Sequence, residues 1–229
     1  MAGKEVMVMV RTPARFTLVA GMVAAATAGG ALMAPRTGAD TPEIDPLHPQ
    51  GHFALERPGD LSKADATTVY DGIADFMARG YAGSGDETAR TYRRWARYND
   101  APYRSQTHGN RYVNNYANAI AARAGYGDPK EGMSMPPGAV LAKDSFTYTG
   151  DRALFAGALF IMEKLAQGAN PATGDWRYAM IMPDGSVFGD TTTETAERLD
   201  FCHACHAEKS AFDYLFFLPE GYRRQIPND

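Results

Sequence analysis

Cysteine and histidine are scarce in this chain of 229 residues, which holds two cysteines and five histidines. Two cysteines exclude a scaffold that is held together by several disulfides. The formal net charge is only −4 and no segment is dense in lysine or arginine, which argues against a dedicated nucleic-acid binder. With 45% apolar and 22% charged residues, the chain is not collagenous, mostly disordered or a polytopic membrane protein. Its length suits one domain with a sizeable core.

The N-terminus combines basic residues with a long uncharged run. Lys4, Arg11 and Arg15 precede the stretch 16–34, which has no charged side chain. This order is typical of a secretory signal. Because the run also approaches the ~20 residues that span a bilayer, residues 1–39 are predicted to be a signal peptide or an N-terminal anchor. Either alternative places the body of the protein outside the cytoplasm, and we expect the periplasm.

Capping and turn residues predict three helices in the first half of the remaining chain. Proline and glycine in residues 40–60 favour an extended arm. A helix is predicted over 62–80, where a serine begins it and a glycine ends it. A second helix is predicted from about 87 to the proline at 102. Asn114 or Asn115 is expected to cap a third, alanine-rich helix.

The middle of the chain reads as short strands that are joined by tight turns. The apolar runs 139–148 and 153–162 flank a turn and predict a β-hairpin. Alternating apolar residues over 176–182 predict a further strand, and the turn 183–186 leads into a return strand. Such strands form antiparallel sheets. We therefore predict an α+β fold, in which an antiparallel sheet is flanked by helices.

Residues 202–206 read Cys-His-Ala-Cys-His and carry the clearest chemical signal. The pattern C-x-x-C-H is typical of c-type haem attachment. The thiols of Cys202 and Cys205 each add to one haem vinyl group, and two intervening residues set their separation. The adjacent His206 then supplies an axial nitrogen to the iron. The sequence thus predicts one covalently bound haem c per chain.

Besides haem attachment, a cysteine pair could form a structural zinc site, a redox-active pair or a simple disulfide. A structural zinc site would need four ligands, but a second cysteine pair is absent and His48, His52 and His108 are far away in sequence. A thioredoxin-like redox pair would sit near a βαβ pattern, which the chain lacks. A simple disulfide would suit an exported protein.

The position of the motif bears on whether the protein is an electron carrier or a catalyst. The residues after 206 contain no methionine or histidine, so a protein sixth ligand must come from upstream. The candidates are Met133, Met135, Met162, Met180 and Met182, although methionine more often fills a core. An open coordination position would suit small-molecule chemistry rather than electron transfer alone.

In these motifs the chain resembles the cytochrome P-460 family and its cytochrome c′-beta relatives. The matching motifs include P-G-x-V-x-x-K and G-D-W beside the haem motif. The segments that carry the resemblance are 92–95, 112–114, 137–144, 174–178 and 202–206, with Asp213 shortly after. The resemblance divides the exported part into an N-terminal extension with a helix, 40–91, and a haem domain, 92–229.

The resemblance implies a homodimer with a β-rich fold and a five-coordinate haem c, whose proximal ligand is His206. It also implies that Lys143, in the P-G-x-V-x-x-K motif, can be joined covalently to the edge of the haem. Members of this kind oxidise hydroxylamine in the periplasm and pass electrons to an acceptor cytochrome. Relatives bind nitric oxide instead, and apolar residues such as Phe146, Phe155 or Phe160 would then line the distal side.

Two residues are predicted to act beside the haem motif. Strand alternation places Lys143 on one face of its strand, and a desolvated lysine amine loses its proton readily and becomes nucleophilic. The segment before the haem motif offers Glu194, Glu197 and Asp200 as proton acceptors. Glu197 is our choice for the distal base, and a loop that merely solvates these carboxylates is the alternative. His108 and Arg111 could also reach the distal side.

Overall fold

A single antiparallel sheet forms the centre of the fold. The computed structural model describes residues 51–224, so the predicted signal or anchor lies outside the described residues. The strands are β1 (Ala96–Arg97), β2 (Tyr103–Ser105), β3 (Arg111–Ala117), β4 (Val140–Tyr148), β5 (Leu154–Ala156), β6 (Leu159–Lys164), β7 (Trp176–Ile181) and β8 (Val187–Asp190). Their order is β1-β3-β4-β6-β7-β8, with β2 added to β3 and β5 added to β4. The antiparallel sheet confirms the predicted α+β class.

Four α-helices accompany the sheet in the described part of the chain. They are α1 (Lys63–Ala82), α2 (Glu87–Thr91), α3 (Ala119–Arg123) and α4 (Asp200–Ala207). Ser62 caps α1 as predicted, and its side chain accepts a hydrogen bond from the Asp65 N–H. None of the helices within 51–224 combines the length and the apolar composition that a bilayer crossing requires.

The sheet buries both of its faces. Val140 and Ala142 of β4 pack with α1 on the first face, in one hydrophobic core. Leu141 of β4 and Trp176 of β7 belong to a second core, which also includes residues of α4. This division follows from strand geometry, because successive side chains point to opposite faces. It places Lys143 on the same face as Leu141, the face that meets α4.

The second helix is much shorter than the predicted range from about 87 to 102. It ends at Thr91, a 3₁₀ turn covers Tyr92–Arg94, and the chain then enters β1. Tyr92 is fully buried and its hydroxyl bonds to Asp144 of β4. Pairing with the sheet thus replaces the helix that the prediction extended towards residue 102.

Neither Asn114 nor Asn115 caps a helix, which corrects the third helix prediction. Both lie within β3, which continues to Ala117, and Asn118 caps α3 instead. The amide of Asn114 donates to Asp144, and the Asn115 amide donates to Tyr126. Asn114 and Asn115 therefore form hydrogen bonds inside the core rather than at the start of a helix.

The second arm of the predicted hairpin is interrupted at Gly157. The Gly157 N–H bonds to the carbonyl of Ser145, and the run divides into β5 and β6. A Cβ at this position would lie 2.8 Å from the Ser145 carbonyl oxygen. Glycine permits this close approach of two backbones.

Candidate functional site

A cleft lies between the second face of the sheet and α4. Its cavity volume is about 60 Å³, and it is partly open to solvent. Its walls combine apolar side chains with Cys202, Cys205, His206 and Lys143. The structure therefore brings together four of the residues that the sequence singled out.

The haem motif occupies α4, and helical spacing explains its arrangement. Residues three and four apart lie on one helix face, so Cys202 shares a face with Cys205 and His206. Both thiols are free. Burial raises the pKa of Cys202 to about 12 and also raises the pKa of Cys205. A redox pair or a thiolate ligand needs the opposite shift, and the described residues contain no cluster of metal-ligating side chains.

His206 is oriented for coordination through one nitrogen. Its Nδ1 lies 2.7 Å from the carbonyl oxygen of Tyr214. Burial lowers the pKa of His206 to about 4, so the neutral imidazole donates from Nδ1 to this carbonyl. The lone pair then resides on Nε2, the tautomer that a haem ligand requires.

A buried ion pair fixes the turn that carries this carbonyl. Asp213 and Tyr214 adopt left-handed backbone angles, with φ of +50° and +67°. Lys164 Nζ lies 2.6 Å from Asp213 Oδ1, and the Met135 N–H donates to Asp213 Oδ2 at 2.6 Å. The Trp176 indole donates to the Asp213 backbone carbonyl at 3.1 Å. The G-D-W tryptophan and Asp213 thereby hold the partner of His206 in place.

Replacing Asp213 with asparagine should destabilise the protein by about 3–5 kcal/mol, because the Lys164 ammonium would stay buried without its counter-charge. The measurement is the free energy of unfolding in denaturant. Asp128→Asn is the matched control, since that carboxylate pairs with Lys130 at the surface and should change the free energy of unfolding little. Equal effects of the two substitutions would refute the structural role of Asp213.

Lys143 reaches the cleft from the centre of the sheet. Its Nζ lies 3.4 Å from His108 Nε2, and His108 Nδ1 contacts Ser105 Oγ at 3.1 Å and Thr107 Oγ1 at 3.2 Å. Burial lowers the pKa of Lys143 to about 8. At pH 7 the neutral amine is then a minority form of Lys143, but a much larger fraction than in a solvated lysine.

The structure does not bring Glu197 to the cleft. Glu197 lies exposed on the 3₁₀ turn Ala196–Leu199, and Glu194 and Asp200 are exposed as well. Within 51–224, the cleft walls contain no aspartate or glutamate. The role of Glu197 as a base stays a prediction without support from its position.

Most other ligand candidates also lie elsewhere. Of the five methionines proposed as sixth ligands, Met162 is the one that lines the cleft. Of the three phenylalanines, Phe160 lines it, whereas Phe146 packs with α1 and Phe155 is exposed. One candidate methionine, Met162, and one candidate phenylalanine, Phe160, therefore remain at the cleft.

Sequence reasoning missed His52 as a member of this site. Its ring lies 5.0 Å from that of His108, 5.1 Å from Phe160 and 4.8 Å from Phe201, measured between centroids. Burial lowers the pKa of His52 to about 3. No motif connects this residue to the haem attachment sequence 150 residues later, so only the fold could reveal it.

The donor set fits a haem that is attached through the C-x-x-C-H motif. Two thiols and an oriented imidazole share one face of α4. The Tyr178 hydroxyl, on the wall of the cleft, is buried without a hydrogen-bond partner among residues 51–224. A buried unpaired hydroxyl is costly, and a bound group could satisfy it. Fold and site together define a c-type haem-binding protein with an antiparallel sheet.

Comparison with known proteins agrees with this class. The model of the family described as cytochrome P-460 matches residues 89–217, more than half of the chain. The chain belongs to the cytochrome P-460 family, whose members are haem proteins with a c-type cofactor. A search of curated proteins found no match.

Proposed function

We propose that this protein is a periplasmic cytochrome that oxidises hydroxylamine, or a similar small nitrogen compound, at a haem iron with an open coordination position. One observation carries the proposal: the half-buried Lys143 lines the same cleft as Cys202, Cys205 and His206. When bound there, the haem supplies redox chemistry at a coordinated small molecule. Cys202, Cys205, His206 and Lys143 would hold the haem and orient it.

The attachment would use three side chains of α4. The Cys202 and Cys205 thiols would each form one thioether bond, giving one haem per chain. His206 Nε2 would bind the iron, while Nδ1 keeps its bond to the Tyr214 carbonyl. Met162 is the one methionine of the predicted set that lines the cleft and could also bind the iron.

Lys143 would join its Nζ to a carbon at the haem edge. The new C–N bond replaces one N–H and one C–H bond, so two electrons and two protons leave. An oxidant of the peroxide class would accept them. The lowered pKa of Lys143, caused by burial, supplies the neutral amine that bond formation needs. His108 Nε2, 3.4 Å from Nζ, would hold the amine in position.

The reaction requires an outlet for electrons and an exported location. Because oxidation of the substrate releases electrons, we propose an electron-acceptor cytochrome as partner, and we retain the homodimer that family resemblance implies. The uncharged N-terminal run supports export, and an uncleaved anchor is the alternative to a signal peptide. Nucleic acid is not among the proposed partners.

A second candidate function is the binding of nitric oxide without turnover. Two observations favour it: Phe160 lines the cleft, and the cleft walls within 51–224 carry no carboxylate. Such a wall would hold a diatomic gas, but it would supply no carboxylate to accept the protons that oxidation of hydroxylamine releases. Both candidate functions use the attachment through Cys202, Cys205 and His206, and they differ in whether the bound small molecule is oxidised.

Steady-state assays with the haem-loaded protein separate these functions. Hydroxylamine is supplied as substrate, together with an artificial electron acceptor, and nitric oxide binding is followed in parallel. Saturable reduction of the acceptor would support the proposed oxidase. Nitric oxide binding without turnover would refute it in favour of the gas-binding protein, and a low-spin spectrum with a methionine-to-iron band would indicate an electron carrier.

A further inference from the structure

The segment that precedes the matched family domain contributes a side chain to the haem cleft. We call residues 51–61 the N-terminal strap. His52 of the strap lines the cleft together with His108, Lys143 and Phe160, although the family match begins at residue 89. The haem site of this chain therefore extends beyond the family domain.

Backbone hydrogen bonds hold the strap beside β3 and β4. The Leu55 N–H donates to the Gly109 carbonyl at 3.1 Å, and the Gly59 N–H donates to the Tyr148 carbonyl at 2.8 Å. Arg111 Nη1 donates to the Phe53 carbonyl at 3.0 Å. These bonds fix the backbone on the C-terminal side of His52, so its entry into the cleft is part of the fold.

Gly109 shows how closely the strap approaches the loop before β3. Its φ is +69°, and a Cβ there would lie 2.5 Å from the Phe53 carbonyl oxygen. Any larger residue would be strained and would push the strap away. The loop is thus shaped to accept the strap immediately beside His52.

His52 and His206 occupy different walls of the same cleft. The His52 ring packs against His108, Phe160 and Phe201, whereas the His206 ring packs against Tyr178 and Phe216. His206 would hold the haem from its own wall, and His52 would be available from the other wall to contact a bound small molecule. The ring contacts of His52 within residues 51–224 are these aromatic packings, and the residue lines the cleft, where a bound ligand could meet its N–H.

We propose that His52 of the N-terminal strap donates a hydrogen bond to the small ligand that binds at the haem iron. This inference rests on the small-molecule site proposed above and assigns it a specific recognition group. A neutral imidazole keeps one N–H, which suits a ligand with a lone pair, such as nitric oxide or hydroxylamine. Retention of the ligand at the iron would then depend on the strap, which lies outside the matched family domain.

Carbon monoxide is a suitable probe, because its stretching frequency and its dissociation rate both report hydrogen bonding at the iron. In the reduced haem-loaded protein, His52→Leu should raise the stretching frequency and speed dissociation about two- to tenfold, as expected for one lost hydrogen bond. His52→Gln, which keeps an N–H donor, should restore part of both. Gly109→Ala should act in the same direction as His52→Leu, since it displaces the strap.

Phe53→Ala is the matched control, because this neighbouring strap side chain is 48% exposed and should leave both values unchanged. Unchanged frequency and rate in His52→Leu would overturn the inference while leaving the proposed function intact. A change from low-spin to high-spin iron in that variant would also overturn it, because His52 would then be an iron ligand. Failure of the wild-type protein to bind carbon monoxide would refute the open site itself.

Discussion

Serine in place of both Cys202 and Cys205 should abolish covalent haem attachment completely. The serine hydroxyls cannot form the two thioether bonds, so His206 would be the remaining link from α4 to the haem. After denaturation, no haem mass should stay on the peptide that contains residues 202–206. The measurement is mass spectrometry of the protein after expression with the haem-attachment machinery.

The single variants provide the matched controls for this prediction. Cys202→Ser and Cys205→Ser should each keep one thioether bond and therefore retain the haem mass on the peptide. Their haem spectra should stay close to that of the wild type, because His206 remains in place. Haem that stays attached to the doubly substituted protein would contradict the assignment of these cysteines.

Arginine in place of Lys143 should eliminate the cross-link between β4 and the haem while preserving the cysteine attachment. The guanidinium stays protonated at any pH of interest, so it has no free amine lone pair to form the C–N bond. We expect the haem spectrum to change to that of an ordinary c-type haem. Hydroxylamine turnover should fall with it, whereas haem content should remain the same.

Lys130 provides the control for Lys143, because it is an exposed lysine that pairs with Asp128 at the surface. Lys130→Arg should leave spectrum and turnover unchanged. If Lys143→Arg also leaves both unchanged, Lys143 is an ordinary strand residue. Gas binding or electron transfer would then describe the protein better than oxidation of hydroxylamine.

The parts of the fold that follow from local rules could be predicted from the sequence. Ser62 caps α1 because its side chain accepts a backbone N–H, and that rule involves only four residues. The division of β4 into two faces follows from alternation, which placed Leu141 and Lys143 together. The haem motif is equally local, because its residues share one helix face.

The failures arise where distant segments decide the structure. Asn114 was predicted to cap a helix, but it bonds to Asp144 across the sheet. Tyr92 was predicted to lie within a helix, but it is buried beside the same carboxylate. His52 joins the cleft through backbone bonds to loops far away in sequence. None of these pairings has a sequence motif that would reveal it.

Position also separates candidates that sequence alone ranked together. Met162 and Phe160 lie beside the cleft, while the other candidate methionines and phenylalanines do not line it. Glu197 was chosen because it precedes the haem motif, yet the turn that carries it faces solvent. Closeness in sequence to the haem motif did not place Glu197 at the cleft, whereas strand alternation placed Lys143 on the face that lines it.

The most direct test of the account is peptide mass spectrometry on the wild-type protein matured with its haem. After denaturation and digestion, we expect the peptide that contains Lys143 to remain joined to the Cys202–Cys205 haem peptide. If the haem peptide is recovered without the Lys143 peptide, that result would contradict the cross-link and the proposed oxidase. Absence of haem mass on Cys202 and Cys205 would contradict the assignment of the entire site.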